Sequence, residues 1–193
     1  MPDVVRCWGS SGGLHGEYHD LEWGTPVHDD RILYEFLVLE GFQAGLTWDL
    51  VLKRRENIRS AFEGLDPAKV ASYEGGDIDR ILASPGIIRN RRKIEAAVRN
   101  ARAFLEVRRE FGSFDAYLWK FVGGKTIDRQ LKTFKEMPAF TAESEAMSRD
   151  LKRRGFSFVG PTTCYAFMQA VGMVNDHLVH CFRYKELKSA RRS

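Results

Sequence analysis

The sequence predicts an all-α fold, and three observations support this prediction. Apolar residues recur at spacings of three and four along most of the chain, whereas the strict alternation that marks a half-buried strand is scarce. Several of these segments begin after an Asp or a Thr, which cap helix N-termini, and stop at a Gly, which ends helices. The 193 residues, 44% of them hydrophobic, suffice for one domain or two small lobes with a substantial core.

The first half of the chain contains four predicted helices. One follows Asp29 or Asp30 and ends near Gly41, and the next begins around Gln43 and is broken at Gly64. The stretch GGDIDRILASPGIIRNRRKIEAAVRNARAFLEV then predicts a short helix, a Pro-Gly turn and a long amphipathic helix. This middle part of the chain could form a lobe of its own.

The second half contains three more predicted helices. A capped segment runs from Thr141 to Arg154, where consecutive basic residues suit the negative end of the helix dipole, and Gly155 stops it. The run TCYAFMQAVG predicts the next helix, and NDHLVHCF predicts a last short one. We expect residues 186–193 to form a frayed basic tail.

The charge balance and the hydrophobic pattern restrict the class of protein. The 30 Lys and Arg residues against 26 Asp and Glu give a net charge of +4, which permits a polyanionic partner without requiring one. No window approaches eighteen consecutive apolar residues, and the start MPDVVRCWGSS lacks a basic region followed by a long apolar stretch. We therefore expect a cytoplasmic protein that does not enter membranes.

Two cysteines and two histidines near the ends of the chain could bind one metal ion. An odd, low count of 3 cysteines favours metal binding or burial over disulfides in a reducing compartment. His177 and Cys181 are four residues apart, so a helix would place both on one face, while Cys7 and His19 would arrive from a loop. A cysteine can equally pack as a small apolar residue and a histidine can cap a helix, so the spacing leaves both interpretations open.

Glu40 is an acid within the apolar stretch VLEGFQAGLTW, close in sequence to a group of aromatic residues. A carboxyl group in apolar surroundings holds its proton unless a donor or a cation faces it, which suits a site that binds a cation or transfers protons. The neighbouring rings Trp8, Tyr18, Trp23 and Trp48 could stack on an extruded nucleic-acid base. The alternatives are a helix-end carboxylate in water and rings in an ordinary core.

The segment LKRRGFSFVGPTTCYAF contains a basic helix end, a turn with two glycines and a new helix start. Backbone N–H groups at such a helix start can hold a phosphate without reading the base sequence. An ordinary corner between two helices gives the same pattern, so both interpretations stay open.

Six motifs together resemble the DNA-3-methyladenine glycosylase I family over almost the whole chain. In order they are RCW, YHDLEWG, LEGFQAGLTW, GIIRNRRKI, KRRGFSFVG and GMVNDHLVHC. The resemblance implies the helix-hairpin-helix DNA glycosylase fold, as a single domain over residues 1–185. It also implies one structural zinc ion that joins the N- and C-terminal segments, held by Cys7, His19, His177 and Cys181.

The resemblance assigns further roles to individual residues. Glu40 matches the carboxylate that recognises the methylated adenine, and the rings that match the lining of the base pocket are Trp8, Tyr18 and Trp48. Gly45 and Leu46 match the turn that enters the base stack and fills the gap left by the extruded nucleotide. The hairpin that grips the DNA backbone is matched by Phe158, Val159 and Gly160.

Three positions depart from the pattern of the family or of its wider superfamily. Most superfamily members have a catalytic Asp where this chain has Asn175, and the members that also cut the strand have a Lys where this chain has Thr162. A Schiff-base lyase activity is therefore not expected. The loop between Cys7 and His19 is about one residue shorter than the family pattern, and His15 stands where the family has a base-contacting Tyr.

The expected function is that of a monofunctional, monomeric glycosylase in base excision repair. It would flip 3-methyladenine out of alkylated duplex DNA and hydrolyse its N-glycosidic bond. One alternative is a zinc-stabilised DNA-binding module without catalysis. A zinc hydrolase or deaminase is a further alternative, but the H-x-E motif that such an enzyme needs is absent around His19 and His177.

Overall fold

The computed structural model describes residues 4–9 and 12–190, and helices dominate this part of the chain. The ten α-helices there are α1 (Gly13–Leu21), α2 (Asp30–Gln43), α3 (Trp48–Ala61), α4 (Pro67–Ala71), α5 (Gly75–Ala83), α6 (Arg91–Phe111), α7 (Phe114–Trp119), α8 (Ala142–Arg153), α9 (Pro161–Ala170) and α10 (Phe182–Ala190). Two two-residue strands, β1 (Ile127–Asp128) and β2 (Val174–Asn175), pair in parallel. The predicted helical fold is confirmed.

Side-chain caps explain where several helices begin. Asp29 caps α2 by accepting hydrogen bonds from the N–H groups of Arg31 and Ile32, at 2.8 and 3.1 Å. Asp30, the other candidate cap, accepts instead from two backbone N–H groups at the start of α7 and so ties α7 to α2. Thr141 caps α8 as predicted, within a reciprocal capping box.

Two predicted boundaries in the C-terminal part are wrong. The segment NDHLVHCF is not a helix, because Asn175 belongs to β2, whose backbone groups pair with β1, and residues 176–181 turn before α10 begins. Helix α10 then extends through residues 186–190, although a frayed tail was expected over residues 186–193; residues 191–193 lie outside the described part of the chain. The segment is anchored as a helix because Leu187 packs inward at only 7% exposure. Long basic side chains can lie along such a helix while their charged ends stay in water.

The predicted boundary between the first two predicted helices, which correspond to α2 and α3, also shifts. Helix α2 continues to Gln43 and α3 begins at Trp48, with Thr47 as its cap. A turn over residues 44–47, which we call the wedge turn, occupies the place where the sequence predicted the start of a helix. The sequence analysis also missed α1, α4 and α7, which are short or rich in glycine.

Most of the buried apolar residues form one connected cluster that extends from Tyr18 to Val174. Helix α6 packs against α2, α4, α5 and α7, while α9 packs against α2 and α8. The N- and C-terminal segments meet where the N–H of Phe182 donates to the carbonyl of Val5 at 3.0 Å. Within residues 4–9 and 12–190, the helices lack the combination of length and hydropathy that crossing a bilayer requires.

Candidate functional site

A cluster of two cysteines and two histidines joins the N- and C-terminal segments. Their ligand atoms all lie within 4.8 Å of one another. The Sγ of Cys7 is 3.3 Å from His19 Nε2 and 3.5 Å from His177 Nδ1, and the Sγ of Cys181 is 3.5 and 3.6 Å from the same two nitrogens. A tetrahedral ion with zinc-like bond lengths would separate each sulfur from each nitrogen by about 3.6 Å. The donor set and its spacing therefore fit a tetrahedral metal ion.

The remaining nitrogen of each imidazole is held by a second group. His19 Nδ1 bonds the carboxylate of Asp20 at 2.8 Å, and His177 Nε2 bonds the carbonyl of Trp23 at 2.9 Å. Arg6 in turn donates to Asp20, which lowers the pKa of that carboxyl group and keeps it ionised. Such outer partners fix the tautomer and orientation of metal-binding histidines. The cluster has the outer contacts expected of a metal centre.

The structure corrects how these four residues reach one another. His19 lies on α1 and not in a loop, and it is fully buried. His177 and Cys181 do not share a helix face, because the chain between them turns back through a hydrogen bond from Cys181 N to Leu178 O. The predicted proximity of the four side chains holds, although the local structure that was expected to produce it does not.

Beside this cluster lies a cavity of about 190 Å³ with a largely aromatic wall. It is lined by Trp8, Tyr18, Trp23, Glu40, Gln43, Trp48, Ala166 and Gln169. All four residues that the sequence analysis placed at a base pocket are among these. Two of them are next to metal-cluster residues in the chain, since Trp8 follows Cys7 and Tyr18 precedes His19.

Glu40 is the carboxylic acid of the cavity wall, and it is buried. Only 4% of its surface is exposed, and within the described residues no hydrogen-bond donor contacts its carboxyl group. Burial raises its pKa to about 8, so the carboxyl group holds its proton near neutral pH. The exposed helix-end alternative is therefore wrong, and the acid is available to pair with a ligand in the cavity.

The aromatic rings of the cavity wall form a continuous series of contacts in space. The Trp8 ring lies 6.1 Å from that of Tyr18 and 5.1 Å from that of Trp23, and Tyr18 lies 5.1 Å from Trp48. The indole Nε1 of Trp48 is buried and has no hydrogen-bond partner within the described part of the chain. A buried donor without a partner is costly and uncommon. The residues of the cavity wall thus include one with a buried, unpaired donor as well as an unpaired acid.

The wedge turn has the backbone geometry of a type II β-turn. Ala44 has φ −48° and ψ 111°, Gly45 has φ +77°, and Leu46 N donates to Gln43 O at 2.6 Å. The third residue of a type II turn needs a positive φ, which glycine adopts without strain. The turn therefore requires Gly45 and presents the half-buried Leu46 directly before α3.

The segment between α8 and α9, residues 154–160, forms a tight hairpin that lies against α2. Phe158 is 36% exposed and adopts a positive φ of +56°, which is uncommon for a bulky residue. Val159 is buried, and its carbonyl accepts from Ser148 Oγ at 2.6 Å, so its side chain is committed to the core. Gly160 precedes Pro161, the first residue of α9. The hairpin predicted from the sequence is present, and Phe158 is its exposed apolar residue.

Comparison with known proteins identifies the group of proteins to which this architecture belongs. The family model described as Methyladenine glycosylase matches residues 8–184. The chain belongs to the methyladenine glycosylase family. The DNA-3-methyladenine glycosylase 1 of Escherichia coli K12 is 48% identical over 182 residues, which cover 94% of this chain and 97% of that protein.

Solved structures of methyladenine glycosylases share the fold. A crystal structure of 3-methyladenine DNA glycosylase I is 47% identical and superposes with a TM-score of 0.89, covering 92% of this chain and 98% of that one. A tyrosine-to-phenylalanine variant of 3-methyladenine DNA glycosylase I, solved in complex with 3-methyladenine, is 35% identical with a TM-score of 0.88. That match covers 94% of this chain and 97% of the other. The family resemblance inferred from the sequence is confirmed.

Three positions where this methyladenine glycosylase departs from expected patterns have clear structural surroundings. His15 lies on α1 and its Nε2 is 3.0 Å from Asp49 Oδ1, so it contacts the helix that begins at Trp48. Its ring also lies edge-on to that of Trp8, a residue of the cavity wall, at 6.3 Å between ring centres. Asn175 is buried and accepts the backbone N–H of His177, which supports the metal cluster. Thr162 is exposed in the first turn of α9.

Sequence reasoning missed part of the cavity wall. Trp23 was among the rings that could stack on a base but not among those that the family resemblance places at the pocket, although it lines the cavity and holds His177 with its carbonyl. Gln43 and Gln169 gave no pattern that marks a binding residue. Gln169 comes from α9, more than 120 residues away in the chain from Glu40, so only the fold shows that they share a wall.

Proposed function

We propose that this protein is a monofunctional DNA glycosylase that excises 3-methyladenine from alkylated duplex DNA in base excision repair. The observation that carries the proposal is the unpaired, buried Glu40 in an aromatic cavity. Methylation at N3 gives adenine a positive charge, which an aromatic wall and a carboxylate can attract together. The curated relative and both solved structures bear the name of this activity, and one of them contains 3-methyladenine.

Glu40 discriminates damaged from undamaged adenine through its proton. With the cavity empty the pKa of about 8 leaves the carboxyl group largely neutral. A cationic base supplies the missing counter-charge and lowers the pKa of the carboxyl group, so that its proton is released to water, whereas neutral adenine has no such effect. The rings of Trp8, Tyr18 and Trp48 hold the base between their faces and exclude water.

Bond cleavage then requires little acid catalysis. A water molecule forms a bond to the sugar carbon as the N-glycosidic bond breaks, and its proton passes to the surroundings. The bonding electron pair leaves with the base, which neutralises the positive charge and makes the methylated base a good leaving group. The Glu40 carboxylate and the DNA phosphates stabilise the positive charge that develops on the sugar.

The two DNA-contacting elements are both near Gly41: a Cβ at this position would lie 3.7 Å from the Cβ of Phe158, and the wedge turn begins three residues later in the chain. Leu46 of the wedge turn fills the gap left by the extruded nucleotide, and Gly45 allows the turn to enter the stack. The hairpin with Phe158, Val159 and Gly160 holds the DNA backbone, as in the helix-hairpin-helix glycosylases, with the N-terminus of α9 directed at phosphate. This contact does not depend on base sequence.

Zinc is the ion we assign to Cys7, His19, His177 and Cys181. Two thiolates and two imidazoles suit tetrahedral zinc, and four protein ligands leave no open position for a substrate or water. Bound zinc supplies folding free energy at this site, because it holds the two ends of the chain together. The single connected core supports one domain over residues 1–185, acting as a cytoplasmic monomer on duplex DNA.

The release of free 3-methyladenine from methylated duplex DNA tests the proposed function. The wild-type protein is compared with Glu40→Gln, which keeps the size of the side chain but cannot become an anion. We expect release by the wild type and a fall of about 100-fold in the variant, a typical cost of one strong electrostatic interaction in a transition state. Equal release by both proteins would exclude the role of Glu40.

A second outcome separates the enzyme from a non-catalytic binding module, the alternative raised by His15. No release by folded, metal-loaded wild-type protein would favour the binding module. Binding to undamaged duplex should in either case weaken steeply as salt rises, because phosphate contacts release counterions. A flat salt response would exclude DNA as the partner.

A further inference from the structure

Lys93 is a buried lysine that bonds one of the elements assigned to DNA contact and lies close to the other. Only 6% of its surface is exposed. Its ammonium donates to the carbonyl of Phe42 at 2.5 Å and to that of Ala44 at 2.7 Å, where α2 ends and the wedge turn begins. The same nitrogen lies 6.0 Å from the ring centre of Phe158 at the hairpin.

These contacts are unusual for a lysine, which is normally exposed because its charge is costly to bury. Burial lowers the pKa of Lys93, and within the described residues no carboxylate pairs with it. Two backbone carbonyls left free by the end of a helix, together with the helix dipole, compensate part of that cost. A neutral residue could fill the space without this penalty, so the charge has a use other than packing.

A second side chain of α6 holds the hairpin in the same way. Asn100, which is 3% exposed, donates to the carbonyl of Ser157 at 3.0 Å and accepts from its N–H at 2.8 Å. Lys93 and Asn100 are seven residues apart, which places them on one face of α6 and about 10.5 Å apart along its axis. Helix α6 therefore fixes the wedge turn with one side chain and the hairpin with the other.

We propose that Lys93 is a positioning residue that holds the wedge turn at a fixed distance from the hairpin, so that Leu46 enters the base stack when the hairpin holds the DNA. The proposal rests on the proposed function, since it assigns Lys93 to the extrusion step. Lys93 does not touch the cavity and acts through the carbonyls of the turn. Its loss should slow base extrusion and leave both the cavity and the grip on undamaged DNA unchanged.

The test compares Lys93→Met with wild type in three measurements. The first is the single-turnover rate of 3-methyladenine release from methylated duplex DNA, with protein in excess. The second is the affinity for the free base 3-methyladenine, followed by the tryptophan fluorescence of the cavity. The third is the affinity for undamaged duplex at fixed salt. We expect the rate to fall about tenfold, since small misplacements of positioned groups have effects of this size or larger, and both affinities to change less than twofold.

A double-mutant cycle with Leu46→Ala shows whether the effect passes through the wedge turn. If Lys93 acts by positioning Leu46, the tenfold loss shrinks to about twofold or less when residue 46 is already alanine. An equal loss in both backgrounds would overturn the proposal. So would a wild-type rate in Lys93→Met, or a parallel loss of free-base affinity, either of which indicates a purely structural lysine.

Two further variants keep the test decisive. Arg109→Met removes one positive charge from the same helix, at a residue whose side chain is 80% exposed and about 24 Å further along the axis, and should leave all three measurements unchanged. Lys93→Gln retains a donor and serves if the methionine variant does not fold. Release by wild type decides the proposed function, whereas the ratio of variant to wild type decides the role of Lys93.

Discussion

The metal cluster and the cavity are built from neighbouring residues, but they differ in whether their buried polar groups have partners. Cys7 and His19 belong to the cluster, and Trp8 and Tyr18, adjacent in the chain, belong to the cavity. In the cluster both nitrogens of each histidine have partners. In the cavity the carboxyl group of Glu40 and the indole nitrogen of a tryptophan have none within the described residues.

This difference separates structural from functional polar groups. A buried polar group that is fully paired stabilises one conformation, whereas one left unpaired lowers stability and remains free to bind a ligand. Local violations of good packing are expected at functional sites and are tolerated because other regions compensate. The cluster is such a compensating region, placed one residue away along the chain.

The largest effect should follow from removing a cluster residue. We expect Cys181→Ala to lower the free energy of unfolding by at least about 5 kcal/mol, because metal binding at a closed site contributes directly to folding. Urea unfolding with and without chelator measures this loss. Base release per folded molecule should stay within threefold of wild type, and a larger fall would place the cluster in catalysis.

A smaller effect concerns the pH dependence of stability through Glu40. Its folded pKa of about 8 lies above the ordinary value of 4.5, so between these two pH values the folded state holds a proton that the unfolded state releases. The contribution of Glu40 to the free energy of unfolding therefore falls as pH rises, by at most about 5 kcal/mol. Unfolding curves of wild type and Glu40→Gln, taken from pH 4.5 to 8.5, should diverge in favour of the variant. Parallel curves would show that the acid is not buried.

Removing the carboxylate that bonds a cluster histidine should weaken metal binding without abolishing it. Asp20→Asn removes the carboxylate that orients His19 and should weaken metal affinity about 10- to 100-fold. Competition with a chromogenic chelator measures the affinity. Asp79→Asn is the matched control, because Asp79 is exposed and pairs with Arg91 outside the cluster. This variant should bind metal as wild type does.

The smallest expected effect tests the unused donor in the cavity. Trp48→Phe keeps a ring but removes Nε1, and it should slow base release about fivefold if that nitrogen bonds the substrate. Because the lost donor has no protein partner, the free energy of unfolding should stay constant or rise. A fall in the free energy of unfolding without any change in base release would show that Trp48 stabilises the fold and does not bind the substrate through its indole nitrogen.

Much of the fold could be predicted because helix periodicity and capping are local signals. The long α6 and the capped α8 show both, whereas α1 with its cap has three glycines within residues 12–16 and few apolar residues, so it gives neither signal. The segment around Asn175 looked helical from spacing alone. Its pairing with β1 is a long-range contact that propensity does not include.

The cavity was predictable to the extent that its residues share motifs. Glu40 was recognised because an acid in an apolar run is rare, and the rings were recognised by their number. Gln169 and Lys93 could not be found this way, since a glutamine is unremarkable in a helix and a lysine is normally exposed. What gives them a role is contact with a distant element, which appears only in three dimensions.

The hydrogen bond between Val5 and Phe182 has a consequence for the connectivity of the chain. Because the N- and C-terminal segments lie side by side at Val5 and Phe182, a linker long enough to follow α10 could join them, and new ends could be opened elsewhere. The exposed turn at Gly123 and Gly124 is a suitable place, since it lies outside the cluster, the cavity, the wedge turn and the hairpin. A circularly permuted protein opened there would carry its metal-binding residues in the middle of one continuous sequence, as an uninterrupted structural unit.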